Sequence, residues 1–281
     1  MRHERATCVL RLVCTVGRWP FASLDAALSG MARLLITGSS GLIGRALRRV
    51  LRSAGHEVVG FDVAASPGHP DFGDSRSATT LAAAAAGCRG IVHLAAIARV
   101  GASAADPALC RSVNVGGVRA VLDAARRLPE QPFVLLASSR EVYGEPALLP
   151  VVETSPFAPI NVYGRSKAAA ERLVEHARER GQHTQIARYA NVYGCVDDHP
   201  DRVVPAFARA AAEGGLMHVR GAANAFDFTH VEDVARGTAR LVEALLAGER
   251  DLPPVQFVTG EPTTLGALAR LAHRLGSSRA R

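Results

Sequence analysis

The chain has 281 residues, of which 48% are hydrophobic and 21% are charged. This composition excludes a disordered or fibrous protein and predicts one large domain, alone or with a small lobe. Although the formal net charge is +7, the arginines are scattered without a polybasic run, so we expect no nucleic-acid partner. No apolar run reaches the roughly 18 residues that a membrane span needs, so we expect no membrane association.

Residues 1–30 are predicted to be a disordered or adventitious extension. Their apolar stretch Cys8–Val16 is interrupted by Arg11 and followed by a poor cleavage context, which disfavours a targeting signal but leaves it as the alternative. Met31 then opens the sequence MARLLITGSSGLIG, in which a strand pattern leads directly into a glycine-rich turn.

From Arg33 onward, short apolar runs alternate with amphipathic segments rich in Ala, Leu and Arg. The runs typical of strands are Leu34–Thr37, Glu57–Phe61, Gly90–Leu94, Pro132–Ala137 and Thr184–Arg188. The segments typical of helices are Ile43–Ala54, 78–86, 108–128 and 161–180. Strands separated by helices indicate an α/β fold with a Rossmann-like, doubly wound parallel sheet.

After Asn191 this alternation weakens, and Pro and Gly separate shorter elements. We therefore predict a nucleotide-binding domain over residues 31–190, to which residues 228–248 return. Residues 191–227 and 249–281 are predicted to form a smaller substrate-binding lobe over the carboxyl edge of the sheet.

The sequence TGSSGLIG lies between the first predicted strand and the first predicted helix. Its first glycine permits a tight turn, the second lets the backbone approach a pyrophosphate, and the third allows close helix–strand packing. The helix N-terminus attracts the anion. The predicted cofactor contacts in this loop are Gly38, Gly41, Leu42, Ile43 and Gly44.

Two aspartates further along are candidates for the adenosine half of the cofactor. Asp62 ends the second predicted strand, where a carboxylate binds the ribose 2′-hydroxyl and repels a 2′-phosphate. Because no arginine follows it directly, we expect NAD and not NADP; a solvated strand-end aspartate is the alternative. Asp74 is predicted either to bind the adenine amino group or only to form a turn.

Tyr163 and Lys167 are four residues apart, which places a phenol and an ammonium on one face of the same predicted helix. Of the 33 basic residues, Lys167 is the only lysine, which indicates chemistry that a guanidinium cannot perform. Positive charge nearby favours the phenolate, so we expect Lys167, together with the positive nicotinamide of the oxidised cofactor, to lower the pKa of Tyr163 and to make it a base.

Ser138 and Ser139 close the strand before the helix that carries Tyr163. Strand carboxyl ends face the ligand crevice of a parallel sheet, so a hydroxyl here would bind the reacting oxygen. We predict this role for Ser139; a serine that only caps a loop is the alternative.

The five cysteines are Cys8, Cys14, Cys88, Cys110 and Cys195. They form neither a CxxC pair nor a metal-ligand spacing, and a sparse, odd count is typical of free thiols in a reducing cytosol. We therefore expect a cytoplasmic protein without a metal site.

Together these motifs resemble the extended short-chain dehydrogenase/reductases, the NAD-dependent nucleotide-sugar epimerase/dehydratase family. The similarity runs from about Met31 to Leu271. It rests on TGSSGLIG, HLAA at 93–96, NVGG at 114–117, SSREVYG at 138–144, YGRSK at 163–167, RYANVYG at 188–194, DFTHVEDV at 227–234 and GEP at 260–262.

The resemblance implies an NAD-dependent enzyme that acts on a nucleotide-linked sugar, with Ser139, Tyr163 and Lys167 as catalytic residues. It implies that Leu94, Ala95 and Ala96 line the cofactor, that Asn114 supports cofactor binding and that Asn191 contacts the substrate diphosphate. The alternatives are that HLAA is only a buried strand end and that Asn114 only caps a helix. The resemblance also implies a homodimer through the helices near 108–128 and 161–180.

Three features depart from the family pattern. Arg140 stands where dehydratases carry an aspartate ahead of a glutamate, while Glu141 is retained as a substrate-contacting residue. Phe226 replaces an arginine that family members use on the diphosphate; Arg202, Arg209 or Arg220 are the candidates to compensate. The chain also stops soon after GEPTTL, which predicts an open, truncated or partner-completed substrate lobe.

We therefore expect an epimerase that inverts C4 of a nucleotide sugar through a transient keto sugar, because Ser139, Tyr163 and Lys167 suffice for that reaction. A 4,6-dehydratase or a reductase that uses Glu141 as base is the alternative within the family. A catalytically idle NAD-binding sensor or scaffold protein is the alternative from another class.

Overall fold

The computed structural model describes residues 30–196 and 198–276 of the chain. The extension predicted at residues 1–30 lies, except for Gly30, outside the described residues. None of the helices in the described ranges has the length and apolar character that crossing a bilayer requires.

The main body is a six-stranded, wholly parallel sheet with the strand order β2-β1-β3-β4-β5-β8. Its strands are β1 (Arg33–Thr37), β2 (Glu57–Phe61), β3 (Gly90–His93), β4 (Phe133–Ser139), β5 (Thr184–Tyr189) and β8 (Val255–Phe257). The predicted doubly wound, Rossmann-like sheet is therefore confirmed. The strand order reverses between β1 and β3, which opens the ligand crevice of such sheets at the carboxyl end of β1.

Helices cover both faces of this sheet. The described residues form the helices α1 (Leu42–Ser53), α2 (Ala78–Ala85), α3 (Val100–Ala105), α4 (Pro107–Arg111), α5 (Gly117–Arg127), α6 (Val162–Glu179), α7 (Val203–Glu213), α8 (Val231–Leu246) and α9 (Leu265–Leu275). Of these, α7 and α9 pack against each other, away from the main sheet. Alternate residues of a strand face opposite sides, so Leu34 and Ile36 pack into the core layer with α1 and α8. Leu35 packs into the other layer, against α2, α5 and α6.

The helix predicted over 108–128 is interrupted by a π-helical turn at Ser112–Gly116, between α4 and α5. Such single turns are frequent at functional sites. This turn holds Asn114, whose side chain is buried.

A second, three-stranded sheet follows the main one, with the order β6-β7-β9. Its strands are β6 (Asn191–Tyr193), β7 (Ala225–His230) and β9 (Pro262–Thr264). The structure corrects one predicted boundary: β8 lies within the range 249–281 that we assigned to the smaller lobe, yet it pairs with β5 in the main sheet. The division into a domain and a lobe otherwise remains a prediction.

Candidate active site

A cavity of about 830 Å³ opens at the carboxyl ends of the main-sheet strands. Nearly all the predicted site residues line this cavity. They are Gly38, Gly41, Leu42, Ile43, Gly44, Asp62, Asp74, Leu94, Ala95, Ala96, Ser139, Glu141, Tyr163, Lys167 and Asn191. Further lining residues that the sequence analysis did not single out include Ser40, Arg76, Ile97 and His199. One cavity therefore joins the glycine loop to the tyrosine–lysine helix.

The glycine loop is too tightly packed to accept side chains. Gly38 has a φ of 71°, and a Cβ on it would lie 2.7 Å from the backbone nitrogen of Ala95. A Cβ on Gly44 would lie 2.2 Å from the carbonyl oxygen of Gly38. Gly41 is the N-cap of α1 and has no side chain to cap the helix, so the first N–H groups of α1 remain available to an anion. This cradle fits a pyrophosphate.

Asp62 is fixed at the end of β2 by two backbone amides. Ser40 N–H donates to Oδ2 at 2.8 Å, and Ala64 N–H donates to Oδ1 at 2.9 Å. Each carboxylate oxygen can accept a further hydrogen bond, so Asp62 is oriented to receive a hydroxyl from the cavity.

Asp74 lines the cavity but is already paired. Its carboxylate accepts hydrogen bonds from Nε of Arg76 at 3.0 Å and from Nη2 at 2.5 Å. These bonds lower the pKa of Asp74. Asp74 also shapes the turn by accepting from Arg76 N–H at 2.9 Å, in agreement with one of the two sequence interpretations. Its binding of the adenine amino group stays a prediction.

Ser139, Tyr163 and Lys167 meet on the floor of the cavity, and all three side chains are buried. Ser139 lies close enough to Tyr163 for its hydroxyl to favour the phenolate. Lys167 Nζ lies 5.9 Å from the centroid of the Tyr163 ring and donates a hydrogen bond of 2.8 Å to the carbonyl oxygen of Ala137. Asn161 caps α6 by accepting from Gly164 N–H at 2.7 Å, which fixes the start of the helix that carries Tyr163 and Lys167.

Burial dominates the ionisation of Tyr163 and Lys167. Burial raises the pKa of Tyr163 to about 12, and the hydrogen bond from Ser139 acts in the opposite direction. Burial lowers the pKa of Lys167 to about 8, opposed by the nearby carboxylate of Glu171. The low-dielectric surroundings disfavour charge on both groups, so forming a phenolate here requires additional positive charge in the cavity.

Asn114 does not line the cavity. Its side chain accepts a hydrogen bond from Ile97 N–H at 2.8 Å and donates to Ile97 O at 3.1 Å and to Ser166 Oγ at 2.9 Å. It therefore ties the cavity-lining segment after β3 to the helix of Tyr163. Asn114 is not a helix cap, because it lies inside the π-helical turn and the N-caps of α4 and α5 are Asp106 and Gly116.

The two residues that depart from the family pattern are in contact. The guanidinium carbon of Arg140 lies 5.2 Å from the ring centroid of Phe226. Nη2 of Arg140 also lies 2.7 Å from Oε1 of Glu141, whose Oε2 accepts a hydrogen bond of 2.7 Å from Asn161 Nδ2. Glu141 is thus engaged on both oxygens.

Three arginines were considered as substitutes for the diphosphate-binding arginine that Phe226 replaces. Of these three, only Arg202 lines the cavity, and it is paired with Asp198 at 3.2 Å. Arg209 and Arg220 are exposed and lie outside the cavity lining. Within the described ranges, no group of three or more His, Cys, Asp or Glu side chains forms a candidate metal site.

Comparison with known proteins gives one family. The model of the NAD dependent epimerase/dehydratase family matches residues 34–252. The chain is 31% identical to UDP-glucose 4-epimerase of Streptomyces lividans over 64% of its own length and 60% of that protein. It is 32% identical to UDP-glucose 4-epimerase of Lacticaseibacillus casei over 57% of its length and 54% of that protein. The chain thus spans less than two thirds of both relatives.

Another relative is the dTDP-glucose 4,6-dehydratase of Streptomyces griseus, 31% identical over 73% of this chain and 67% of that protein. Among solved structures, UDP-glucose 4-epimerase from Brucella ovis in complex with NAD superposes with a TM-score of 0.75 at 29% identity, covering 85% of this chain and 81% of that one. MoeE5 in complex with UDP-glucuronic acid and NAD gives a TM-score of 0.75 at 28% identity, covering 86% and 82%.

Proposed function

Because the chain belongs to the NAD dependent epimerase/dehydratase family, we propose that it is an enzyme that inverts C4 of a nucleotide-linked sugar through a transient 4-keto sugar. One observation carries the proposal: Ser139, Tyr163 and Lys167 meet in the same cavity as the glycine loop and Asp62. The epimerases and the dehydratase among the relatives support the family chemistry, and the choice between these reactions rests on the site.

The cavity fits NAD. The glycine cradle at the start of α1 accommodates a pyrophosphate, and the oriented carboxylate of Asp62 suits a free ribose 2′-hydroxyl and repels a 2′-phosphate. When bound, NAD supplies the hydride acceptor and donor, and its oxidised nicotinamide adds a positive charge beside the phenol.

Tyr163 is the base that takes the proton of the C4 hydroxyl as the C4–H bond breaks. Ser139 donates a hydrogen bond to the reacting oxygen, a role supported by its position beside Tyr163 in the cavity lining. Among the described residues, the carbonyl oxygen of Ala137 accepts one hydrogen bond from the Lys167 ammonium. The other two N–H groups of the ammonium can therefore donate to the cofactor ribose and to the phenolate. Tyr163 returns the proton to O4 after the keto sugar has turned over, and the configuration is inverted because C4 would regain on its opposite face the hydride that NAD would hold.

Glu141 favours epimerisation over dehydration. A dehydratase needs a free base at this position to remove a second proton from the sugar. Here the carboxylate is held by Arg140 on one oxygen and by Asn161 on the other, so neither oxygen is free to take a second proton from the sugar. Simple oxidation and reduction at C4 need no such base.

The test is the Tyr163→Phe variant. It should retain NAD binding, measured by calorimetry, and lose turnover of UDP- or dTDP-hexoses by a factor of at least about 10², the lower range for general acid–base catalysis. Product analysis by NMR distinguishes an inverted hydroxyl from the loss of water. Full turnover by Tyr163→Phe would contradict the mechanism, and a dehydrated product of the unaltered enzyme would replace epimerisation with the dehydratase reaction.

We further propose a cytoplasmic homodimer that acts on small molecules. Cys88 and Cys110 are free thiols, which is consistent with a reducing compartment. Light scattering of the purified protein tests the dimer, since a monomeric mass at micromolar concentration would contradict it.

A further inference from the structure

His93 is a buried histidine at the end of β3, directly before residues 94–96, which line the cavity. Its cross-strand partner is Thr37, which ends β1 and directly precedes Gly38 of the glycine loop. Nδ1 of His93 lies 2.7 Å from Oγ1 of Thr37. This contact joins the two strands at the place where the strand order of the main sheet reverses.

The polar groups of Thr37 tie the end of β1 to three consecutive residues of the neighbouring chain segment. The hydroxyl oxygen accepts a hydrogen bond from Ala95 N–H at 3.3 Å, and the hydroxyl proton can be donated to Nδ1 of His93. The carbonyl oxygen accepts from Leu94 N–H at 3.1 Å. A Cβ on the next residue, Gly38, would lie 2.7 Å from the nitrogen of Ala95. A shift of Ala95 would therefore disturb the backbone that forms the pyrophosphate cradle.

The imidazole of His93 is not the side chain that stability alone would favour. Its Nε2 is buried and has no hydrogen-bond partner among the described residues. A buried polar atom without a partner destabilises a fold, and an aliphatic side chain would avoid that loss. Burial and the nearby charge of Lys167 lower the pKa of His93 to about 3, so the ring is neutral and Nδ1 can accept. The bond to Thr37 is what an aliphatic residue could not supply.

We propose that His93 is a positioning residue for NAD: through the Thr37 hydroxyl it holds the glycine loop against the cavity wall at residues 94–96. Gly38 and Ala95 both line the cavity, so the two segments face the same cofactor. Without the bond, part of the binding free energy of NAD would be used to order these segments. The inference depends on NAD binding and is independent of the sugar reaction that the enzyme catalyses.

The experiment uses the full chain and measures the dissociation constant of NADH by fluorescence titration, together with the urea midpoint without cofactor. In His93→Leu the dissociation constant should rise about 3- to 10-fold, the range for one neutral hydrogen bond. His93→Asn keeps an acceptor near the position of Nδ1 and should restore most of the affinity. Thr37→Val should weaken NADH binding, and Thr37→Ser should not. The double variant Thr37→Val/His93→Leu should bind NADH as weakly as Thr37→Val alone, because both changes break the same bond.

The matched control is His56→Leu, which removes another buried histidine at the opposite end of β1. Nδ1 of His56 accepts from Ala32 N–H at 3.3 Å, and its Nε2 lies 2.5 Å from Oε1 of Glu243. His56→Leu breaks both contacts, whereas His93→Leu breaks one and also removes an unpartnered nitrogen. We therefore expect His56→Leu to lower the urea midpoint more than His93→Leu and to leave the dissociation constant of NADH unchanged.

Three results would overturn the inference: an unchanged dissociation constant in His93→Leu, an equal increase in His56→Leu, or equal NADH affinities of Thr37→Val and Thr37→Ser. If His93→Leu does not fold, the comparison between the two Thr37 variants decides. Failure of the unaltered protein to bind NADH would overturn the NAD-dependent function as well. Absence of sugar turnover in a protein that binds NADH would overturn only the proposed reaction and would leave the role of His93 standing.

Discussion

Glu171 of α6 and Arg188 of β5 form a buried ion pair, with side-chain exposures of 0% and 3%. Arg188 donates from Nε to both carboxylate oxygens at 3.1 Å and from Nη2 to Oε2 at 2.7 Å. Its Nη1 donates to the Tyr143 hydroxyl at 2.6 Å, and Ser138 donates to Glu171. Because Glu171 lies one turn after Lys167 and Ser138 precedes Ser139, the pair connects the three catalytic positions.

Removing one member of this pair should strongly destabilise the fold. Arg188→Met leaves the Glu171 carboxylate buried without its cation, so we expect the free energy of unfolding to fall by about 3–5 kcal/mol. The double variant Glu171→Leu/Arg188→Met removes both charges and should lose less than Arg188→Met alone. Urea denaturation followed by circular dichroism measures both.

The matched control is Asp123→Asn, which breaks the exposed pair between Asp123 and Arg126. It should change the free energy of unfolding by less than about 1 kcal/mol. An Arg188→Met variant as stable as this control would contradict the importance of the buried pair.

The protonation of Lys167 should set the alkaline limit of activity. Burial lowers its pKa to about 8, so the ammonium that sustains the phenolate loses its proton as the pH rises through that value. The rate constant kcat should therefore fall above about pH 8. Lys167→Arg should have a lower kcat but no such fall, because a guanidinium stays protonated across this range. If kcat of Lys167→Arg fell above about pH 8 as it does in the unaltered protein, a group other than Lys167 would be titrating in that range.

Much of the main domain could be predicted from local patterns. The glycine loop, the strand at Glu57–Phe61 and the pair Tyr163–Lys167 each depend on spacing within a few residues, and the structure joins them in one cavity. Local patterns do not report burial, however. The desolvation that raises the pKa of Tyr163 follows from packing of the whole site.

Contacts between distant segments could not be predicted either. Arg140 and Phe226 were both recognised as departures from the family pattern, but they are 86 positions apart and nothing in either segment indicates that the side chains meet. The strand β8 was missed for a similar reason. It has three residues, too few for a periodic pattern, and its place beside β5 is determined by the sheet edge that it covers.

Asp62 should determine the preference for NAD. In Asp62→Ala the hydroxyl acceptor and the negative charge are both lost, so the affinity for NAD should fall by about tenfold, as expected for one charge-assisted hydrogen bond. Affinity for NADP should rise relative to NAD, because a 2′-phosphate is no longer repelled. Fluorescence titration with NADH and NADPH measures the two affinities.

Asp71→Asn is a suitable control for that comparison. Asp71 lies in the loop after β2 but pairs with Arg48 at 2.7 Å and is outside the cavity lining. Its substitution should leave the ratio of NADH to NADPH affinity unchanged. Equal ratios in Asp62→Ala and Asp71→Asn would assign the preference to another residue.

Gly44 should be the least replaceable residue of the cofactor loop. A Cβ at this position would lie 2.2 Å from the carbonyl oxygen of Gly38 and 2.8 Å from Cα of Ser39, both backbone atoms that cannot rotate away. Gly44→Ala should therefore push the loop off α1, lower the free energy of unfolding by about 1–3 kcal/mol and weaken NAD binding.

Gly116→Ala provides the comparison, because Gly116 has a helical φ of −63° and open space around its Cβ position. That substitution should stabilise the protein by about 0.5–1 kcal/mol. If both variants bound NAD equally well and melted at the same temperature, the close contact between α1 and the glycine loop would not be what forms the pyrophosphate cradle.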